Sequence, residues 1–167
     1  MDILLIGNGM YSTGRGTEDF GTILPAIVEY QRSLNININV TVAGTNIDHS
    51  IAARDKYNQL SKLTGIDLNI SFYPDQNQGS PKSYVDIINS DNKPKCAIVV
   101  VPDHLHYEIT KKCLKAGVHC LVVKPLVLST NEAIELTELA EKNGLYGVVE
   151  YHKRWDKSNL ILKEKVE

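Results

Sequence analysis

The sequence is poor in cysteine, has no surplus of positive charge and contains no long hydrophobic run. Its three cysteines, Cys96, Cys113 and Cys120, are scattered and form no CxxC pair. That pattern suits reduced, buried thiols of a cytoplasmic protein better than a secreted disulfide framework. Lysine and arginine number 18 against 20 aspartates and glutamates, a net charge of −2, so no basic surface is offered to nucleic acid or to anionic lipid. The longest apolar runs, such as 97–102, fall far short of the roughly 20 residues that span a bilayer. Met1-Asp2 is acidic and the run at 3–6 is short, so no signal peptide is expected. There is no internal repeat and no low-complexity linker. At 167 residues the chain is long enough for one domain, or one and a fraction, with a core that needs no staples.

What is present is an alternation of short apolar runs with helix-length segments. Residues 3–6 are continuously apolar and end at glycine, which marks a strand buried on both faces. A long glycine-rich connection over 7–21 precedes a helix at 22–33. Alternation at Ile36, Ile38, Val40 and Val42 predicts a second strand, and 50–63 a helix stopping at Thr64-Gly65. Leu68, Ile70 and Phe72 suggest a weaker third strand, 75–81 a polar turn region and 84–89 a short helix. Residues 96–101 are the strongest strand, followed by a helix at 107–116, a fifth strand at 119–123, a helix at 130–142 opened by Ser129-Thr130-Asn131-Glu132, and a sixth strand at 146–150. Such alternation predicts an α/β fold: a doubly wound parallel sheet between two helical layers, the three-layer α/β/α Rossmann arrangement. Ligands of such sheets bind at the carboxyl ends of the strands.

The strand ends carry the chemistry. Gly7-Asn8-Gly9 lies between a buried strand and a helix, the context of a dinucleotide fingerprint. The first glycine permits the turn and the second lets backbone approach a pyrophosphate. Ser12 stands where a third glycine is usual, and Thr13-Gly14-Arg15-Gly16-Thr17 reads as a mobile surface loop, or as a flap bringing Arg15 to a phosphate. The second strand ends in Ala43-Gly44-Thr45-Asn46, with no carboxylate before Asp48. Thr45 and Asn46 can bond a ribose hydroxyl or a 2′-phosphate, so NAD and NADP both stay open, and Arg15 or Arg54 could favour NADP. At the fourth strand end, Pro102-Asp103-His104-Leu105-His106 is a poor metal motif for want of further ligands, and no metal is expected. His106 is better placed as a hydrogen-bonding wall beside the nicotinamide. At the fifth, Lys124-Pro125 puts a lysine where it can move a proton or hold an alkoxide.

The stretch 96–156 resembles the Gfo/Idh/MocA oxidoreductases. Val101-Pro102-Asp103-His104-Leu105-His106 is similar to that family's T-P-N-x-x-H segment, Lys115-Ala116-Gly117-Val118-His119 to its A-G-K-H-V, and Val123-Lys124-Pro125-Leu126 to its E-K-P-L. Asn131-Glu132-Ala133 and Tyr151-His152-Lys153-Arg154-Trp155-Asp156 follow in the expected order. The resemblance implies an NAD(P)-dependent dehydrogenase in which Lys124 contacts substrate and nicotinamide. It implies a pyrophosphate site at Gly7, Gly9, Met10 and Tyr11, with Asn8 and Ser12 in the same loop, and Val101, Pro102 and His106 near the nicotinamide ribose. The substrate would be a sugar, polyol or related secondary alcohol or ketone. Val123 departs from the family's glutamate, which removes a carboxylate near the cofactor.

The resemblance also implies a second α/β domain for substrate binding and homo-oligomerisation. Residues 1–156 are therefore expected to be the cofactor domain and 157–167 the start of a helix leading onward, with the 167 residues inactive by themselves. Two alternatives stand beside this reading. One is an enzyme of the same family that uses NAD transiently for elimination or glycoside cleavage, and the other is a dinucleotide-binding module without chemistry.

Overall fold

The apolar run at the amino terminus becomes the middle of the sheet. In the computed structural model, which describes residues 1–76, 79 and 83–166, β1 (Asp2–Ile6) pairs in parallel with β2 (Asn39–Ala43) on one side and with β4 (Cys96–Val99) on the other. β3 (Asn69–Tyr73) extends the sheet beyond β2, and β5 (His119–Val123) and β6 (Gly147–Glu150) extend it beyond β4. The order β3-β2-β1-β4-β5-β6 is that of a doubly wound Rossmann sheet, with its switch point between β1 and β4.

Helices cover both faces. α2 (Ile23–Leu34) and α3 (Ile47–Thr64) pack on the face presenting Ile3, Leu5, Val40, Val42 and Phe72. α4 (Tyr84–Ile88), α5 (His106–Lys115) and α6 (Thr130–Lys142) cover the face presenting Leu4, Ile6, Ala97, Val99, Cys120 and Val122. Leu4 and Leu5 are both fully buried, which explains why β1 reads as a continuous apolar run rather than an alternating one. α1 (Met10–Thr13) is one turn inside the glycine-rich connection, and α7 (Lys157–Val166) closes the chain. The cysteines carry free thiols, with Cys113 and Cys120 buried. Among the described residues no helix is long and apolar enough to cross a membrane.

Two sequence boundaries shift by three residues. The strand anticipated from Ile36 begins at Asn39. The Gln31 side chain reaches back from α2, accepting from the Ile38 N–H at 2.9 Å and donating to the Asp67 carbonyl at 2.8 Å, so the residues before Asn39 are held as a link. α3 starts three residues earlier than residue 50, because Asn46 caps it by accepting the His49 N–H at 3.1 Å. Part of the turn region at 75–81 lies outside the described residues.

Candidate cofactor site

The turn after β1 is built around one glycine. Gly7 has φ +105°, and a Cβ there would stand 1.9 Å from the Val100 carbonyl oxygen, so only glycine fits. Its N–H donates to the Ala43 carbonyl at 2.8 Å, and the Val100 N–H donates to the Ile6 carbonyl at 2.8 Å. The ends of β2, β1 and β4 are thereby locked side by side. Gly9 is different: no atom lies within 4 Å of where its Cβ would be. The backbone at Gly9 is open to a ligand, and a pyrophosphate can lie against it.

Gly9 forms one edge of a cleft of about 440 Å³ at the switch point, within the usual range for small-molecule and cofactor sites. Met10 and Tyr11 continue that edge, Val101 and Pro102 come from the end of β4, and Lys124 and Glu150 from the ends of β5 and β6. Six of the anticipated residues (Gly9, Met10, Tyr11, Val101, Pro102 and Lys124) thus meet around one space. Lys124 is exposed on its rim, and among the described residues its ammonium has no hydrogen-bond or ion-pair partner.

The other anticipated residues stand around the cleft. The Asn8 side chain is buried, donating to Ser50 Oγ at 3.3 Å, and packs so closely on Gly44 that a Cβ there would approach Asn8 Nδ2 to 2.2 Å. Ser12 is fully buried and its hydroxyl donates to the Gly9 carbonyl at 3.1 Å. Both shape the loop from beneath. Thr45 and Asn46 are exposed at the end of β2, where Asn46 spends its carbonyl oxygen on the α3 cap. His106 is also fully buried: Nδ1 lies 2.6 Å from the Pro125 carbonyl and Nε2 2.9 Å from the Val101 carbonyl. It braces the two strand-end loops from behind, whereas His104 is exposed. The loop after α1, anticipated as a mobile surface loop or as a flap bringing Arg15 to a phosphate, is tied to the glycine turn by hydrogen bonds. The Thr22 N–H donates to the Tyr11 carbonyl at 2.7 Å, Thr17 bonds Gly14, and Arg15 Nε donates to the Asn8 carbonyl at 2.9 Å.

One cluster was not anticipated. The Tyr11 hydroxyl donates to Glu150 Oε2 at 3.2 Å and lies 3.1 Å from His152 Nδ1, which is 3.3 Å from Glu150 Oε1. Burial, and then the Glu150 carboxylate, push the Tyr11 phenol above its ordinary range. Glu150 pairs in register with Val123, the residue before Lys124. A carboxylate therefore stands beside the position where Val123 carries none. Attention to the carboxyl end of β6 could have found it from sequence. The pairing with Tyr11 could not be found so, because 139 residues separate the partners.

A doubly wound parallel sheet, an open glycine turn and a cleft at the switch point define a dinucleotide-binding domain. The comparisons agree. Residues 37–151 match the family described as "Oxidoreductase family, NAD-binding Rossmann fold", and the chain belongs to this Gfo/Idh/MocA family of oxidoreductases. It is 34% identical over 77 residues to scyllo-inositol 2-dehydrogenase (NADP(+)) IolW of Bacillus subtilis, a match covering 46% of this chain and 22% of that protein. It is 32% identical over 74 residues to D-glucoside 3-dehydrogenase of Escherichia coli, covering 44% and 21%. These matches span less than a quarter of the relatives' lengths. Among solved structures, biliverdin reductase of Synechocystis sp. PCC 6803, in complex with biliverdin and NADP+, shares the fold at TM-score 0.69 and 16% identity, over 99% of this chain and 42% of that one. An oxidoreductase from Bacillus cereus does so at TM-score 0.68 and 23% identity, over 99% and 39%.

Proposed function

We propose that this chain is the cofactor domain of a cytoplasmic enzyme that transfers hydride between NAD(P) and a secondary alcohol or ketone of a sugar or polyol. The observation that carries this reading is Lys124 on the rim of the switch-point cleft that Gly9 also lines. The pyrophosphate would lie on Gly9, Met10 and Tyr11, the adenosine ribose toward Thr45 and Asn46, and the nicotinamide against Val101 and Pro102. When bound, the nicotinamide supplies the carbon that gives or accepts hydride. Lys124 holds the substrate oxygen and exchanges its proton. Glu150, hydrogen-bonded to Tyr11 and beside His152, sets the charge at the far wall. His106 keeps the loops bearing Val101 and Pro125 in place.

The named relatives act on scyllo-inositol and on D-glucosides, which supports a polyhydroxylated substrate. Residues 1–156 form the cofactor domain in this reading, and α7 leads toward a substrate domain through which the whole protein oligomerises. Trp155, Leu162 and Val166 are 78%, 61% and 78% exposed, an apolar surface that supports further packing there.

Titration with NADH and NADPH, followed by cofactor fluorescence, tests the binding half of the proposal. Lys124→Ala tests the chemical half: turnover of a sugar and polyol panel by the whole enzyme should fall at least about a hundredfold, while cofactor affinity stays within a few fold. Unchanged turnover would remove Lys124 from the chemistry.

A further inference from the structure

We infer that Arg15 is a ligand for the 2′-phosphate of the adenosine ribose, and that this chain prefers NADP(H) to NAD(H). The inference rests on the cleft being a dinucleotide site, and it starts from how this arginine is held. The Arg15 N–H donates to Thr13 Oγ1 at 3.3 Å, and Thr13 Oγ1 lies 3.1 Å from the carbonyls of both Asn8 and Gly9. Arg15 Nε then donates to the same Asn8 carbonyl at 2.9 Å. Backbone and side chain are therefore both fastened to the glycine turn. The loop beyond is closed by Thr17 Oγ1 on the Gly14 carbonyl at 2.9 Å and by Gly21, where a Cβ would stand 2.6 Å from the Met10 carbonyl oxygen.

A guanidinium has five N–H groups, and Nε uses one. Among the described residues the terminal nitrogens of Arg15 have no acceptor and no carboxylate within ion-pair distance, although the side chain is half-buried. An immobilised cation with its planar fork unspent is suited to an oxyanion that comes with the ligand.

Position selects the oxyanion. Arg15 is tied to Asn8, and the Asn8 side chain packs on Gly44 and Ser50. The guanidinium is thus anchored on the residue of the glycine turn whose side chain packs against the end of β2, the strand end where the adenosine ribose of a dinucleotide lies. That strand end, Ala43-Gly44-Thr45-Asn46, has no carboxylate to bond the ribose hydroxyls and repel a phosphate. The other arginine in this region, Arg54, lies over the Phe72 ring at 5.9 Å.

The experiment is a fluorescence titration of the chain with NADPH and with NADH, repeated for Arg15→Gln, Arg15→Lys and, as a control, Arg54→Gln. Thermal melts without ligand check that each variant folds. Wild type should bind NADPH about ten to a hundred times more tightly than NADH. Arg15→Gln should abolish that preference by weakening NADPH alone, Arg15→Lys should keep part of it, and Arg54→Gln should keep it all. A wild-type preference for NADH, a ratio unmoved by Arg15→Gln, or equal losses for both cofactors would each overturn the assignment. Those results leave the dinucleotide site standing. No binding of either cofactor by wild type would overturn the site itself, and this inference with it.

Discussion

Gly7 and Gly9 are two residues apart, yet replacing each by alanine should have opposite consequences. At Gly7 an alanine must adopt φ +105° with its Cβ 1.9 Å from the Val100 carbonyl oxygen. The left-handed backbone costs about 1–2 kcal/mol. The clash adds about 1–3 kcal/mol of overpacking, since Val100 is held by its N–H bond to Ile6 and cannot retreat without parting β1 from β4. Gly7→Ala should therefore lose about 2–5 kcal/mol. For a chain of this size, at about 2–4 °C per kcal/mol, the melting temperature should drop by roughly 4–20 °C. At Gly9 the added methyl meets nothing within 4 Å, so Gly9→Ala should melt within about 2 °C of wild type. That methyl fills the space proposed for the pyrophosphate. Affinity for NAD(P)H should fall about tenfold or more, an overpacking cost of about 1–3 kcal/mol expressed in binding instead of folding. Differential scanning fluorimetry and fluorescence titration of both variants measure the pair. If Gly9→Ala binds cofactor as tightly as wild type, or Gly7→Ala melts unchanged, the division of labour between the two glycines is wrong.

His106→Ala should cost about 2–5 kcal/mol, because it opens a cavity and strands the Val101 and Pro125 carbonyls. A variant that melts normally yet loses cofactor would put the imidazole in the cleft instead of behind it. Glu150→Gln removes the charge that helps hold the Tyr11 phenol above the ordinary value of 10.0. One tyrosine should then titrate at lower pH in an ultraviolet difference spectrum, and the change should be absent in a Tyr11→Phe background. Tyr57, whose hydroxyl bonds Asp67 and the Leu68 backbone, is pushed up to about 12 by burial and then by Asp67. A raised value stabilises fully below pH 10 and is lost as pH climbs toward 12, so urea midpoints should fall over that window in wild type. They should fall less in Tyr57→Phe, which starts lower at neutral pH for want of an acceptor for the Leu68 N–H.

The fold was legible because its signals are local and repeated. Leu4, Ile6, Ala97, Val99 and Val122 face one helical layer while Ile3, Leu5 and Val123 face the other, and a strand covered on both faces is written as an uninterrupted apolar run. The limits of β5 and α6 fall where turn residues and Ser129 put them. Boundaries slipped where a side chain from elsewhere decided them. Gln31 holds the residues before Asn39, and the asparagine expected at a ribose also caps a helix. Polar residues near a strand end serve backbone and ligand alike, and residue type alone does not separate the two uses. Asn8, Ser12 and His106 turned out to be buried for the same reason: the motif marks the neighbourhood of a site, and the packing decides which members face it.

The Glu150 cluster shows what a motif read along one strand leaves out. Val123 lacks the carboxylate that the family pattern places before the lysine, and from sequence this counted as a carboxylate lost near the cofactor. In the sheet, parallel register sets Val123 directly beside Glu150. Glu150 in turn holds the hydroxyl of Tyr11, a residue of the glycine loop on the other side of the cleft. A strand-end carboxylate acts through its distance to the ligand, and that distance depends on register across the sheet as much as on order along the chain. With valine at 123 the cleft still holds negative charge one strand over, at Glu150, and Glu150 ties the wall of β6 to the loop proposed to receive the pyrophosphate. The absence of glutamate before Lys124 is weak evidence for a domain without catalysis. The charge to be counted is that of the whole cleft.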